Sequence, residues 1–95
     1  MTTDIRNVPE LSRYEVTVDG RLVGLADYVV VGSTVAIPHT EVDPSVQGQG
    51  IAAALVRFAL DDIRAAGRRV DPQCSYVRSF IERHPDDADL VDRPT

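Results

Sequence analysis

Six consecutive residues, Gln47-Gly48-Gln49-Gly50-Ile51-Ala52, have the types and spacing that hold an anion against main chain. They stand where a strand pattern hands over to a helix pattern. The first turn of any helix presents N–H groups without intrahelical partners, and the helix dipole adds positive potential there. A pyrophosphate answers both if the backbone can approach it closely. Gly48 and Gly50 permit that approach, and Ala52 keeps the first turn small. The positive end is then local and made by the backbone, so an acidic chain can still hold an anionic ligand. By turn chemistry alone, a plain turn is the competing reading. No Gly-Lys-Ser/Thr ending follows, which excludes a P-loop. A dinucleotide fingerprint would need a third glycine and a βαβ start.

Three side chains elsewhere suit proton transfer. His39 and Glu41 lie two apart on a strand pattern and so share a side. They make a candidate base pair, direct or through water. The alternative is a solvated carboxylate beside a satisfied polar residue. Cys74 closes a short strand pattern just before the last helix pattern, and a helix N-terminus lowers a thiol's pKa from about 8.5. Against that, cysteine often packs as a small buried hydrophobe. Arg83 and His84 are assigned to the end of the last helix. Tyr76 suits either proton donation or packing. No metal ligand set is assigned.

The elements that must position these residues follow from periodicity. Tyr14, Val16 and Val18 alternate with Glu15 and Thr17, which predicts a half-buried strand from Arg13. Asp19-Gly20 suits a two-residue hairpin, leading into a strand from Arg21 to about Val31. Gly32-Ser33 turns the chain into a third strand, Thr34 to about Val42, where Pro38 predicts a bulge or an interrupted pairing. Ile51, Leu55, Phe58, Ala59, Ile63 and Ala66 form one apolar helix face. Arg57, Asp61 and Arg64 line the opposite face at pairing distance. Gly67 ends the helix, Arg68 to about Gln73 reads as a fourth strand, and Ser75 caps a helix from Tyr76 to His84. Residues 1–10 and 86–95 read as ends. The expected fold is α/β, a mixed sheet: an antiparallel meander followed by helix, strand and helix, with one parallel pair joined by a right-handed crossover.

Bulk properties bound the function. Ninety-five residues, 43% hydrophobic and 26% charged, predict one folded domain over 1–95. The net charge of −5 argues against broad nucleic-acid binding, although all ten basic residues are arginine. The apolar runs near Val29–Val31 and Ile51–Val56 are too short to span a bilayer, and the polar N-terminal stretch is no secretion signal. With a single cysteine, the cytoplasm is the expected compartment.

Gln47-x-x-Gly50-x-Ala52 resembles motif A of the GNAT superfamily. His39-Thr40-Glu41-Val42, the glycine turn, the long helix, the isolated Cys74, Arg83-His84-Pro85 and Ala88-Asp89-Leu90-Val91 together resemble its small YidJ/NATD1-type branch of N-acetyltransferases, over about residues 10–91. The resemblance implies a reduced GNAT-like fold and transfer of an acetyl group from acetyl-CoA to an amine, on a small molecule or a protein. It places the pantetheine arm near Val42 and the pyrophosphate among Gln47, Gly48, Gln49, Gly50, Ile51 and Ala52. It also places Cys74 near the acetyl group, as acid toward the departing thiolate or as brief acyl carrier. Most relatives carry additional N-terminal helices; with Arg21 one turn after the first predicted strand there is no room for them, so the acceptor side is expected to be open. A non-catalytic or weakly catalytic acyl-CoA-binding module, and a partner-binding domain whose glycine turn only packs, are the alternatives.

Overall fold

A computed structural model describes residues 2–92, and the Arg93-Pro94-Thr95 end lies outside the described residues. Strands β1 (Thr3–Val8), β2 (Arg13–Val18), β3 (Arg21–Val31), β4 (Thr34–Val42) and β5 (Arg69–Asp71) form one sheet in chain order. Helix α1 (Ile51–Ala65) links β4 to β5, and α2 (Ser75–Arg83) follows. The first four strands pair antiparallel, and β4 pairs parallel with β5. The mixed α/β sheet expected from periodicity is therefore present.

Local chemistry explains the turns. Asp19 and Gly20 both have positive φ, +51° and +83°, as the two-residue hairpin requires. Near Pro38 the β3–β4 register shifts: Asp27 faces His39 and Val29 faces Ala36, so Tyr28 stands opposite both Ile37 and Pro38. This is the expected bulge, placed where proline removes a ladder donor.

Tyr14, Val16, Ala26, Tyr28, Val35, Ile37 and Val70 point from one sheet face onto Leu55, Leu60 and Ile63 of α1 and Val77 and Phe80 of α2. By alternation Glu15, Asp27, His39 and Glu41 belong to the opposite face. α1 keeps its predicted stripe with two changes: Val56 and Leu60 join the buried face, while Ala66 is exposed. Arg57 pairs with Asp61 at 2.8 Å as expected. Arg64 instead reaches Asp89 at 2.9 Å.

Three expectations are corrected. Residues 1–10 are not simply an end, because Thr3–Val8 is the edge strand β1. A polar network ties it down. The Asn7 amide donates to Asp62 at 3.3 Å and accepts from the Tyr28 hydroxyl at 2.7 Å, and the Tyr14 hydroxyl donates to Asp62 at 2.9 Å. Burial first, and then that bond to Asp62, push the Tyr14 phenol far above its ordinary pKa. The second correction concerns the acidic C-terminal stretch, which packs as a 3-10 helix, Pro85–Leu90. Arg57 grips the buried Asp87 with two bonds of 2.7 Å. Finally, Ser75 is the first residue of α2 and not its cap. The Cys74 amide still donates to Ile37 O at 2.9 Å, which holds Cys74 extended at the N-cap position.

Candidate functional site

The loop after β4 is braced before it reaches the glycines. Asp43 accepts from the Ser45 amide at 2.9 Å, capping the 3-10 turn Pro44–Val46. Arg21, at the start of β3, donates to Asp43 at 3.1 Å and to the Ser45 hydroxyl at 3.3 Å. The Ser45 amide, then the Ser45 hydroxyl and Arg21, hold the Asp43 carboxyl below the usual carboxylate range. The amides of Gln47 and Gln49 are used within the loop, on the carbonyls of Pro44 and Val46. Those of Gly48 and Gly50 have no protein acceptor among the described residues.

Gly48 and Gly50 have φ of +83° and +76°, and a Cβ at either would meet nothing within 4 Å. The glycines are therefore required by backbone sign and not by crowding, and open space stands where a ligand must approach. Gly50 is followed directly by Ile51, Ala52 and Ala53, whose amides have no intrahelical acceptor. These residues line a cleft of 520 Å³ together with Thr40, Val42, Val46, Gln47 and Tyr76. Of the six residues expected around the anion, Gln47, Gly48, Gly50, Ile51 and Ala52 line it. Gln49 does not.

The cleft continues into a gap in the sheet. β4 and β5 pair only from Thr34–Ala36 to Arg69–Asp71, and the bond from Cys74 N, past the end of β5, to Ile37 O is the last main-chain bond across this side of β4. Beyond it β4 runs on to Val42 with β3 alone. The Asp43 amide donates to Val23 O at 2.7 Å. By antiparallel alternation Glu41 and His39 then exchange bonds with Leu25 and Asp27, while Thr40 and Val42 turn their main-chain groups into the gap.

Cys74 faces that gap. Its sulfur lies 3.3 Å from the Thr40 hydroxyl. Burial pushes the thiol up, but the Thr40 hydroxyl and the amides of Val77, Tyr76 and Thr40 outweigh it, so the thiol sits below its ordinary pKa. No cap bond to the α2 amides is formed, and the helix amides act as oriented dipoles. His39 and Glu41 do share a side, with His39 Nε2 3.4 Å from Glu41 Oε1. They are 52% and 65% exposed, on the sheet face opposite α1. The structure thus brings His39 to Glu41 and Cys74 to Thr40, and separates the two pairs by the thickness of β4.

Thr40 has no assigned role in the sequence reading, yet it touches both regions. It lines the cleft beside α1 and also a second groove of 520 Å³ that contains Leu25, Glu41 and Asp43. Strand parity was the available signal, since Thr40 must oppose His39 and Glu41. Arg83 and His84 close α2 as expected, through Ser79 O and Phe80 O.

The family model described as GCN5-related N-acetyl-transferase matches residues 13–90. The chain belongs to the GCN5-related N-acetyltransferase family. Protein NATD1 of Bos taurus is 34% identical over 59 residues, which are 61% of this chain and 52% of that protein. The chain therefore spans about half the length of that relative. Among solved structures, a GCN5-like protein of Staphylococcus aureus aligns with a TM-score of 0.73 at 17% identity, covering 97% of this chain and 90% of its own. A GNAT family acetyltransferase from Brucella melitensis in complex with acetyl-CoA aligns with a TM-score of 0.57 at 25% identity, covering 72% and 50%. The unused amides at Gly48, Gly50 and the start of α1 suit a diphosphate, and the turned-in groups of Thr40 and Val42 suit an amide-bearing arm. Among the described residues no helix is long and apolar enough to cross a membrane, and no His/Cys/Asp/Glu cluster can hold a metal ion.

Proposed function

We propose that this chain transfers an acetyl group from acetyl-CoA to an amine, entering from opposite sides of β4. One observation carries the reading. Gly48, Gly50 and the first turn of α1, whose amides have no protein acceptor among the described residues, line the same cleft as Thr40 and Val42, whose main-chain groups alternate away from β3. The turn formed by Gln47, Gly48, Gly50, Ile51 and Ala52 holds the pyrophosphate, with Gln49 bracing it from outside. Val42 pairs with the pantetheine arm. Acetyl-CoA supplies the activated acyl group.

The residues of this chain then manage protons. An alkylamine is mostly protonated at neutral pH, its reference pKa being about 10.4, so it must lose a proton before attack. Glu41 and His39 take that proton on the face opposite α1. Nitrogen bonds to the acyl carbon, the carbon–sulfur bond breaks, Cys74 gives its proton to the departing thiolate, and the Cys74 thiolate is reprotonated by the second proton that the acylated nitrogen sheds. Thr40 holds the thiol for that step. The acceptor is a small-molecule or protein amine reaching the exposed side of the sheet, and a cytoplasmic setting belongs to the same proposal.

The separation of His39 and Glu41 from Cys74 favours a second reading, an acyl-CoA-binding module with little or no transfer. Acetyl-CoA titration by calorimetry, followed by release of free CoA with a panel of primary amines, tests both. Binding with amine-dependent release supports transfer. Binding without release supports the module, and no binding removes both.

A further inference from the structure

The outer edge of β1, an end strand of the sheet, has no neighbouring strand among the described residues. The Asp19 amide donates to Thr2 O at 2.8 Å, and the register from Thr3↔Val18 to Val8↔Arg13 has no shift. Antiparallel alternation then turns the main-chain groups of Asp4, Arg6 and Val8 toward β2, and those of Thr3, Ile5 and Asn7 outward. These outward groups are unmatched donors and acceptors on a strand that carries no proline before Pro9.

The side chains fit the same operation. Asp4 and Arg6 are exposed and make no ion pair or hydrogen bond among the described residues. The nearest cross-strand carboxylate to Arg6 is Glu15, which Arg13 already holds at 2.6 Å. A two-fold axis through Ile5 places Ile5 against Ile5 of a second copy, Thr3 against Asn7, and Asp4 against Arg6. The first two pairings exchange main-chain bonds. Asp4 and Arg6 fall at the closer, non-hydrogen-bonded position, where opposite charges attract. Backbone parity permits this axis, and among the registers it permits the charge pairing of Asp4 with Arg6 selects the one through Ile5.

We infer that two copies of this chain join by antiparallel pairing of their β1 edges about Ile5, fusing two sheets into one. An isologous contact of this kind closes on itself and leaves no free β1 edge for further growth. The strand is short, so the interface belongs to the small class and association is weak. The inference does not depend on the acetyl-transfer reading.

Sedimentation equilibrium of the intact chain from about 10 µM to about 1 mM tests it. A monomer–dimer equilibrium is expected. Ile5→Pro removes an amide that has no partner within the chain, a replacement edge strands tolerate, and should leave a folded monomer by circular dichroism. Asp4→Arg sets arginine against Arg6 of the second copy and should weaken the dimer about tenfold or more. Adding Arg6→Asp to Asp4→Arg restores opposite charges across the same axis and should recover the dimer, which a merely damaged strand would not do. A monomer at every concentration overturns the inference. So does a dimer that ignores Asp4→Arg, or a charge swap that fails to rescue.

Discussion

The Thr40 hydroxyl stands 3.3 Å from the Cys74 sulfur, joining the middle of β4 to the start of α2 across the gap where β4 and β5 part. This contact helps the amides at the start of α2 hold the single thiol below its ordinary pKa. Thr40 also borders both neighbouring grooves, the cleft beside α1 and the one that contains Leu25, Glu41 and Asp43.

Thr40→Val should therefore raise the Cys74 pKa. The wild-type thiol lies below its ordinary value, in part because of this hydroxyl, and removing it leaves burial less opposed. The midpoint of the pH dependence of iodoacetamide alkylation reads the shift. It should move to higher pH in the variant. An unchanged midpoint would show that the helix amides alone set the thiol.

His39→Ala and Glu41→Gln should lower amine-dependent turnover by about a hundredfold, the lower range for general base catalysis. Both side chains lie on the face opposite α1, away from the cleft, so the dissociation constant for CoA should be unchanged. Calorimetry beside steady-state kinetics separates the two effects. Loss of CoA affinity in either variant would contradict the opposed-face arrangement.

Asp87→Asn should destabilise the fold by about 2 kcal/mol at neutral pH, because it breaks charged hydrogen bonds to Arg57 at a buried carboxylate. Those bonds, against the opposing effect of burial, hold the Asp87 carboxyl below its usual range. A depressed carboxylate contributes stability above its unfolded pKa of about 3.9 and loses it as pH falls through the lower folded value. Thermal melts of the two proteins should therefore differ at pH 7 and converge in strong acid. Parallel curves across that range would refute the linkage.

Gly50→Ala should cost about 1–2 kcal/mol of stability without a clash, since φ is +76° and the space is open. Gly50→Glu adds a carboxylate at the mouth of the cleft and should abolish CoA binding while melting close to the alanine variant. Retained CoA affinity in Gly50→Glu would place the cofactor elsewhere.

The meander, α1 and the glycine turn were legible because each rests on local chemistry: alternation from Tyr14, the Asp19-Gly20 hairpin, the apolar stripe from Ile51. β1 was not. Ile5 is the only apolar residue between Thr3 and Asn7, and the strand is held by pairing to β2 and by Asn7 bonding to Asp62 and Tyr28, contacts distant in sequence. The packed C-terminal turn escaped for the same reason, since its anchors are Arg57 and Arg64, 30 and 25 residues before their partners Asp87 and Asp89. Ser75 looked like a cap by residue type, but a sheet bond from the Cys74 amide moved the helix start. At the site, strand parity joined His39 to Glu41 correctly. The link from Thr40 to Cys74 needed the β4–β5 gap, which no local pattern encodes.

We propose that main-chain amides of the glycine turn and the first turn of α1 hold the diphosphate of CoA. A titration of 15N-labelled protein with CoA, followed by amide chemical shifts, tests it residue by residue. Saturable shifts are expected, largest at Gly48, Gly50, Ile51, Ala52 and Ala53, with a second group at Thr40 and Val42. Shifts concentrated elsewhere, or none at millimolar CoA, would contradict it.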